Sequence, residues 1–239
     1  MENLDAVNAL EIIETAINKA KKPAVAFSGG KDSTAVLDLV RRVAPDTLGV
    51  FSNTGVESGH TIAYVRSVPN VVEVKGDMTF WQCKDKYGWP KLKAADGGRH
   101  GNECCLYLKE RPMDKYVKAN GIDTVFTGLT SDESWARTQF LSRCGPYYLR
   151  KADQTWRCHP IHDWKPDDVW RYIKERGLKY NAAYDPPTSA TRCGCLPCTA
   201  YISWKERLAK VNPSLLKMIL RDKESQSFME DYEQRSTPC

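Results

Sequence analysis

Two groups of residues in this 239-residue chain have the types and spacing to do chemistry. The first is Ser28-Gly29-Gly30-Lys31-Asp32-Ser33, set between a short apolar run, Ala24-Val25-Ala26-Phe27, and a stretch with helical periodicity. Glycines let a backbone approach a ligand closely, and successive N–H groups at a helix N-terminus form a nest for anions. Lys31 adds a point charge, and the Ser28 and Ser33 hydroxyls can hydrogen-bond phosphate oxygens. The loop is not a Walker A motif, which needs four residues between its first glycine and the Gly-Lys pair. A plain strand-to-helix turn would need only the glycines; the lysine, aspartate and two serines in this order point to a phosphate cradle.

The second group is made of thiols. The chain has nine cysteines, an odd number. Its start, Met1-Glu2-Asn3-Leu4-Asp5, is acidic and lacks the basic-then-apolar layout of a secretion signal, so a cytoplasmic location and metal or redox chemistry are expected rather than disulfides. Cys104-Cys105 and Cys195-Leu196-Pro197-Cys198 form two tight groups, while Cys83, Cys144, Cys158, Cys193 and Cys239 are scattered. Two thiolates at the spacing of Cys195 and Cys198 suit zinc, an iron–sulfur cluster or a redox dithiol. A redox dithiol belongs at a helix start, whereas Pro186-Pro187 and Gly194 indicate a loop here. Adjacent thiolates such as Cys104 and Cys105 can ligate two irons of one cubane. Four thiolates also complete a tetrahedral zinc site, so the ligand count leaves the metal open.

The elements that must position these groups follow from apolar spacing. An amphipathic helix is expected over residues 2–20, from Leu4, Val7, Leu10, Ile13, Ile17 and Ala20. Ala24–Phe27, Thr47–Phe51, Val71–Lys75 and Thr124–Thr127 read as strands, the first continuous enough for a buried parallel strand. Thr34–Val43, Thr61–Val68 and Lys165–Arg176 read as helices. Residues 141–160 read as irregular or hairpin-like, and Ser203–Tyr232 as helical with an interruption at Pro213. Strands alternating with helices predict an α/β fold with a mostly parallel, Rossmann-like sheet and right-handed crossovers. One domain is expected over residues 1–200, with a helical C-terminal region, 201–239, packed on it. Apolar residues at 41% and charged residues at 27% suit a globular chain, and no apolar run is long enough to span a membrane. Lys+Arg 35 against Asp+Glu 30 gives +5, which suits anionic partners without requiring them.

The chemical residues, taken in order, resemble the phosphoadenosine phosphosulfate (PAPS) reductase family of the pyrophosphate-loop adenine-nucleotide α-hydrolases. Ser28–Ser33 resembles the superfamily's pyrophosphate loop. Asn53-Thr54-Gly55-Val56-Glu57 is similar to the family's Asp-Thr-Gly segment, with asparagine in place of aspartate. Gly128-Leu129-Thr130-Ser131-Asp132-Glu133-Ser134, followed by Arg137, resembles its Gly-x-Arg-x-x-Glu/Gln-Ser-x-x-Arg segment. His159-Pro160-Ile161-His162-Asp163-Trp164, then Asp167-Asp168-Val169-Trp170, is similar to its Pro-Leu-x-Asp-Trp…Asp-Val-Trp stretch. Cys104-Cys105, Lys109 and Pro112, with Cys195, Pro197, Cys198 and Thr199, resemble the cysteine signature of adenylylsulfate (APS) reductases.

This resemblance implies an adenine-nucleotide α-hydrolase-like fold and a [4Fe–4S] cluster on Cys104, Cys105, Cys195 and Cys198. It implies nucleotide contacts from Ser28, Gly29, Gly30, Lys31, Asp32, Ser33, Gly55 and Gly128, with Lys31, Asp32 and Arg137 catalytic. Lys109 would face the cluster. Cys193 is close enough to serve as a substitute or accessory thiol but reads first as a bystander, and His159 and His162 read as structural rather than catalytic. The aromatics Phe80, Trp81, Tyr87 and Trp89, with Lys91, Lys93, Arg99 and His100, read either as a base-stacking insertion or as packing at the sheet edge.

Three functions compete. Adenylating sulfur transfer cleaves ATP with Mg²⁺ between the α and β phosphates and activates an acceptor, with nucleic acid favoured as in DNA phosphorothioation. Sulfur then comes from a donor such as a cysteine desulfurase. Sulfonucleotide reduction instead takes APS or PAPS to sulfite. That reaction uses a cysteine in a C-terminal Glu-Cys-Gly-x-His segment, which this chain lacks; Cys239 is its only later thiol. The family's reductases usually lack the loop lysine, so Lys31 favours ATP. The third function is non-catalytic nucleotide or cluster binding. The oligomeric state stays open, a homodimer included.

Overall fold

The computed structural model describes residues 4–91, 103–201 and 203–236. The chain opens with helix α1 (Leu4–Ile17), strand β1 (Pro23–Ala26), helix α2 (Lys31–Val43) and strand β2 (Leu48–Ser52). Helix α3 (Gly59–Ser67), strand β3 (Val71–Val74) and helix α4 (Phe80–Tyr87) follow. A helical segment then starts as α5 (Glu103–Cys105), widens to a π-helical turn over Leu106–Glu110 and continues as α6 (Arg111–Ala119). Strand β4 (Thr124–Phe126), helix α7 (Trp135–Cys144) and strands β5 (Tyr147–Arg150) and β6 (Thr155–Cys158) come next. Helices α8 (Pro166–Glu175), α9 (Trp204–Val211) and α10 (Pro213–Ser236) close the chain.

The sheet order is β3-β2-β1-β4-β6-β5, all parallel except the antiparallel β5–β6 pair. β1 and β4 sit at its centre because both faces of the sheet are covered. Ala24, Val25, Val125 and Phe126 are at most 1% exposed, as expected of continuous apolar runs in a parallel sheet. One face carries α1, α2 and α8, with Ile13, Leu39, Val40 and Ile173 in the same core as Phe27 and Phe126. Val117 and Ile122, with Met113 and Tyr116 packed against them, cover Ala24, Val50 and Val125 on the other. The chain runs β1-β2-β3 outward, then returns to place β4 on the other side of β1. That reversal leaves a crevice beyond the carboxyl ends of β1 and β4, where doubly wound sheets bind ligands.

A second core lies away from the sheet. Phe80, Cys83, Trp89, Leu108, Trp204, Leu208 and Ile219 pack together, with Cys104 and Tyr107 against them. The C-terminal helices α9 and α10 therefore rest on the segment that carries Cys104 and Cys105. Phe80 and Trp89 are buried in this core, against helices rather than at the sheet edge, while Trp81 is exposed; Lys93, Arg99 and His100 lie outside the described residues. One expectation is corrected: residues 141–144 belong to helix α7, and the hairpin begins only at Tyr147. The helix carrying Cys104 and Cys105 has no counterpart in the apolar periodicity, because its residues are divided between two cores, Leu108 in the second and Val117 against the sheet.

Candidate functional site

The phosphate loop joins the end of β1 to the start of α2. Gly29 adopts φ +72°, and a Cβ there would lie 2.8 Å from Val65 Cγ2, so both backbone and space require glycine. The Ser28 hydroxyl accepts from the Gly30 N–H at 3.3 Å and lies 3.1 Å from the Ser33 hydroxyl. Ser33 donates in turn to the Gly30 carbonyl at 2.9 Å. The Lys31 N–H donates to the Tyr184 hydroxyl at 3.0 Å, and the Lys31 ammonium pairs with Asp32 at 2.6 Å. Gly128, beyond the end of β4, closes against this loop. A Cβ on it would lie 2.8 Å from the Asp32 carbonyl carbon and 2.9 Å from the Ser33 nitrogen.

Around the loop opens a cleft of about 1020 Å³. Ser28, Gly30, Lys31, Asp32, Ser33, Gly128 and Arg137 line it, together with Lys109, Asp132, Asp167 and Arg192. Arg137 is held by an ion pair with Glu133, its neighbour one helical turn earlier. Gly29 and Gly55 do not line the cleft. Gly29 shapes the turn beneath it, and Gly55 sits in a turn where its N–H donates to Asn53 Oδ1 at 2.9 Å. A second cavity of about 310 Å³ adjoins the cleft; Phe27, Val50, Phe51, Met113 and Val125 give it an apolar wall, and Glu57, Lys109, Glu110, Asp114, Arg150 and Arg157 also line it. Ala26, Ser28, Lys109, Thr127 and Cys193 line both spaces and mark where they meet.

Two site residues escaped sequence reasoning. Asn181, fully buried, caps the turn Ala182–Tyr184 and donates from Nδ2 to the Gly29 carbonyl at 3.1 Å and to Thr61 Oγ1 at 2.9 Å. That cap aims Tyr184 at the loop, where Trp170 meets it edge-on with ring centroids 5.0 Å apart. The sequence signal was present, an asparagine cap just before Pro186-Pro187, but it carries no spacing relation to the loop. Cys193 forms a wall of the cleft, with its Cβ 3.9 Å from where a Gly30 Cβ would stand.

The cysteines converge on Lys109. The π-helical turn leaves the Lys109 carbonyl free to accept from Ser52 Oγ at 3.0 Å, which ties the turn to the end of β2. Thr54 Oγ1 lies 3.4 Å from Cys195 Sγ, and the Leu196 N–H donates to the Val56 carbonyl at 2.8 Å. The thiol of Cys104 hydrogen-bonds the sulfur of Cys105, and with the Lys109 ammonium it lowers Cys105 to about 6 against the effect of burial. The same bond, burial and the charges of Cys105, Cys195 and Cys198 push Cys104 up. Burial raises Cys198. Burial works against the Lys109 ammonium, yet Cys195, Cys105, Glu57 and Cys198 outweigh it and hold its pKa above the usual lysine value. The four thiols therefore lie within electrostatic reach of one another around one cation. Among the described residues, no three His, Cys, Asp or Glu side chains are drawn together tightly enough to grip a single metal ion. Cys239 lies outside the described residues.

Among the described residues, no helix is long and apolar enough to cross a membrane. The phosphoadenosine phosphosulfate reductase domain matches residues 22–201. The adenosine 5'-phosphosulfate reductase of Staphylococcus haemolyticus is 29% identical over 201 residues, covering 80% of this chain and 76% of that protein. An uncharacterized protein of Methanocaldococcus jannaschii is 31% identical over 185 residues, 74% of this chain and 41% of that protein. The phosphoadenylyl-sulfate reductase of Candida auris, solved as a phosphate complex, shares the fold with a TM-score of 0.59 at 18% identity, covering 79% of this chain and 88% of that one. A central parallel sheet with a phosphate loop at its reversal point, matched over three quarters of the sequence, makes this chain a member of the phosphoadenosine phosphosulfate reductase family.

Proposed function

We propose that the protein cleaves ATP between its α and β phosphates and passes AMP to an oxygen of an acceptor, nucleic acid being favoured, for replacement by sulfur. The observation that carries this reading is Lys31. Its ammonium lines the cleft at the head of α2, beside loop amides and a helix N-terminus that favour negative charge. Such a cradle neutralises a departing pyrophosphate, and phosphoryl-type transfer depends mainly on positioning and charge neutralisation.

In this reading the acceptor oxygen attacks the α phosphorus while the bond to the bridging oxygen breaks, and that electron pair leaves with pyrophosphate. Ser28, Lys31, Ser33 and the loop amides hold the leaving group, and Arg137 steadies the α phosphate. Mg²⁺ would ride mainly on the phosphate oxygens, with Asp32 beside the loop as a hard oxygen donor from the protein. The apolar wall of the smaller cavity suits the flat face of adenine. A nucleophilic sulfur from a donor then displaces AMP from the acceptor.

Cys104, Cys105, Cys195 and Cys198 would hold a [4Fe–4S] cluster. The adjacent thiolates of Cys104 and Cys105 can ligate two irons of one cubane, and all four cysteines lie within electrostatic reach of one another, which supports a cluster. Such a cluster supplies Lewis-acidic, redox-active iron beside the nucleotide. Lys109, which borders both cavities and responds to the thiolates, joins the two parts of the site.

Sulfonucleotide reduction is the second reading, supported by relatives named as adenosine 5'-phosphosulfate reductases. Anaerobic protein assayed side by side with ATP, APS and PAPS separates the two. The proposed function predicts pyrophosphate from ATP in the presence of acceptor. Sulfite from APS or PAPS with a thiol reductant, and no pyrophosphate from ATP, would reverse the order.

A further inference from the structure

His159 follows β6 directly and is 3% exposed, yet it lies one hydrogen bond from the cleft. Its Nδ1 is 2.7 Å from Thr127 Oγ1. The backbone fixes this pair, since the Thr127 N–H donates to the Cys158 carbonyl at 2.9 Å and the His159 N–H to the Pro146 carbonyl at 2.7 Å. The other ring nitrogen, Nε2, is buried and has no hydrogen-bond partner among the described residues. Thr127 lines both the cleft and the smaller cavity, and its hydroxyl makes no other hydrogen bond among the described residues.

These facts determine where the protons go. Burial, reinforced by Arg157, His162 and Arg137, lowers His159 to about 4, so the ring is neutral and has one donor and one acceptor nitrogen. If the proton were on Nε2, an N–H would be buried without a partner, a state native structures rarely tolerate. Nδ1 has a partner for it, so the proton belongs on Nδ1, donated to Thr127 Oγ1. The threonine hydroxyl has a single proton. With its oxygen accepting from His159, that proton is free for the cleft.

We propose that His159 is a positioning residue: it holds the Thr127 hydroxyl as a fixed donor into the cleft, where it selects a ligand oxygen that can only accept, as a phosphate oxygen does. The inference rests on the reading that an adenine nucleotide occupies the cleft, and it assigns one contact to that nucleotide. Water or a hydroxyl can accommodate a hydroxyl in either role, whereas an anionic oxygen rewards only the donor. Gly128, pressed against Asp32 and Ser33, keeps Thr127 beside the phosphate loop.

The test combines a spectrum with a binding series. Nitrogen-15 NMR of histidine-labelled protein, assigned with His159→Asn, should show His159 protonated at Nδ1 and bare at Nε2. Calorimetric titration with ATP should show Thr127→Val binding about tenfold or more weakly, and Thr127→Ser recovering most of that loss. His159→Phe should weaken ATP binding in the native background and add nothing to Thr127→Val, while His159→Asn, whose amide can donate from the place of Nδ1, should restore it. If His159→Phe fails to fold, the Thr127 pair and the spectrum decide. An Nε2-protonated ring, or Thr127→Val binding ATP as tightly as the native protein, overturns the proposal. If the native protein binds no ATP, the nucleotide reading falls instead, and the spectrum still decides the direction of the His159–Thr127 bond.

Discussion

The phosphate cradle is assembled from six consecutive residues, whereas the cysteine site draws on two segments that lie on either side of β4, β5 and β6 in the chain. In the cradle, strand, turn and helix start are each set by local chemistry: a buried apolar run, a glycine at positive φ, and two serines that bond across the turn. Gly128, Asn181 and Tyr184 come to it from afar as supports of a turn already shaped locally. The cysteines meet because a second core, Phe80, Trp89, Leu108, Trp204 and Leu208, clamps the π-helical turn, while Thr54 and Val56 at the end of β2 hold the loop of Cys195. A locally built site can form as soon as its strand does. A site built by tertiary packing forms only when the whole molecule has folded, and it is where loss of a ligand should be felt most.

The largest expected effect is therefore on the cysteines. Cys104→Ser, Cys105→Ser, Cys195→Ser and Cys198→Ser should each deplete iron in anaerobically purified protein, from about four per chain in a [4Fe–4S] cluster. Stoichiometric zinc in the native protein would overturn the cluster assignment. At the cradle the effect should be smaller and of another kind. Gly128→Ala puts a methyl group against backbone atoms of Asp32 and Ser33 that cannot yield, an overpacking cost of about 1–3 kcal/mol. Chemical denaturation and ATP titration should both register it, with the iron content unchanged. Iron lost along with nucleotide binding would show that the two regions are one structural unit.

The same contrast explains how far the sequence could be read. The order of β1, α2, β2, β3 and β4, the loop Ser28–Ser33 and the break at Pro213 follow from local periodicity and turn chemistry. Cys104 and Cys105 stand out in the sequence by type and adjacency, but their helix does not, because its apolar residues serve two separate cores. Tyr184 and Asn181 were missed because an asparagine cap predicts a turn, not what the turn faces. Thr127 lay within a correctly read strand segment, yet its partner His159 is on the neighbouring strand's end, and only the β4–β6 pairing brings them together. Gly55, which a motif match places with the nucleotide, sits in a turn with its N–H on Asn53 Oδ1, a position that local sequence does not relate to the loop.

The central claim is that Lys31 is there to meet a departing pyrophosphate, and pyrophosphate release by Lys31→Ala measures it most directly. With ATP and acceptor, the account predicts a loss of about a hundredfold or more, the scale seen when one preorganised charge-stabilising contact is removed. The variant's iron content and cluster absorbance should stay as in the native protein. Release at the native rate, or equal turnover of APS by the native protein and the variant with no pyrophosphate from either, would contradict it.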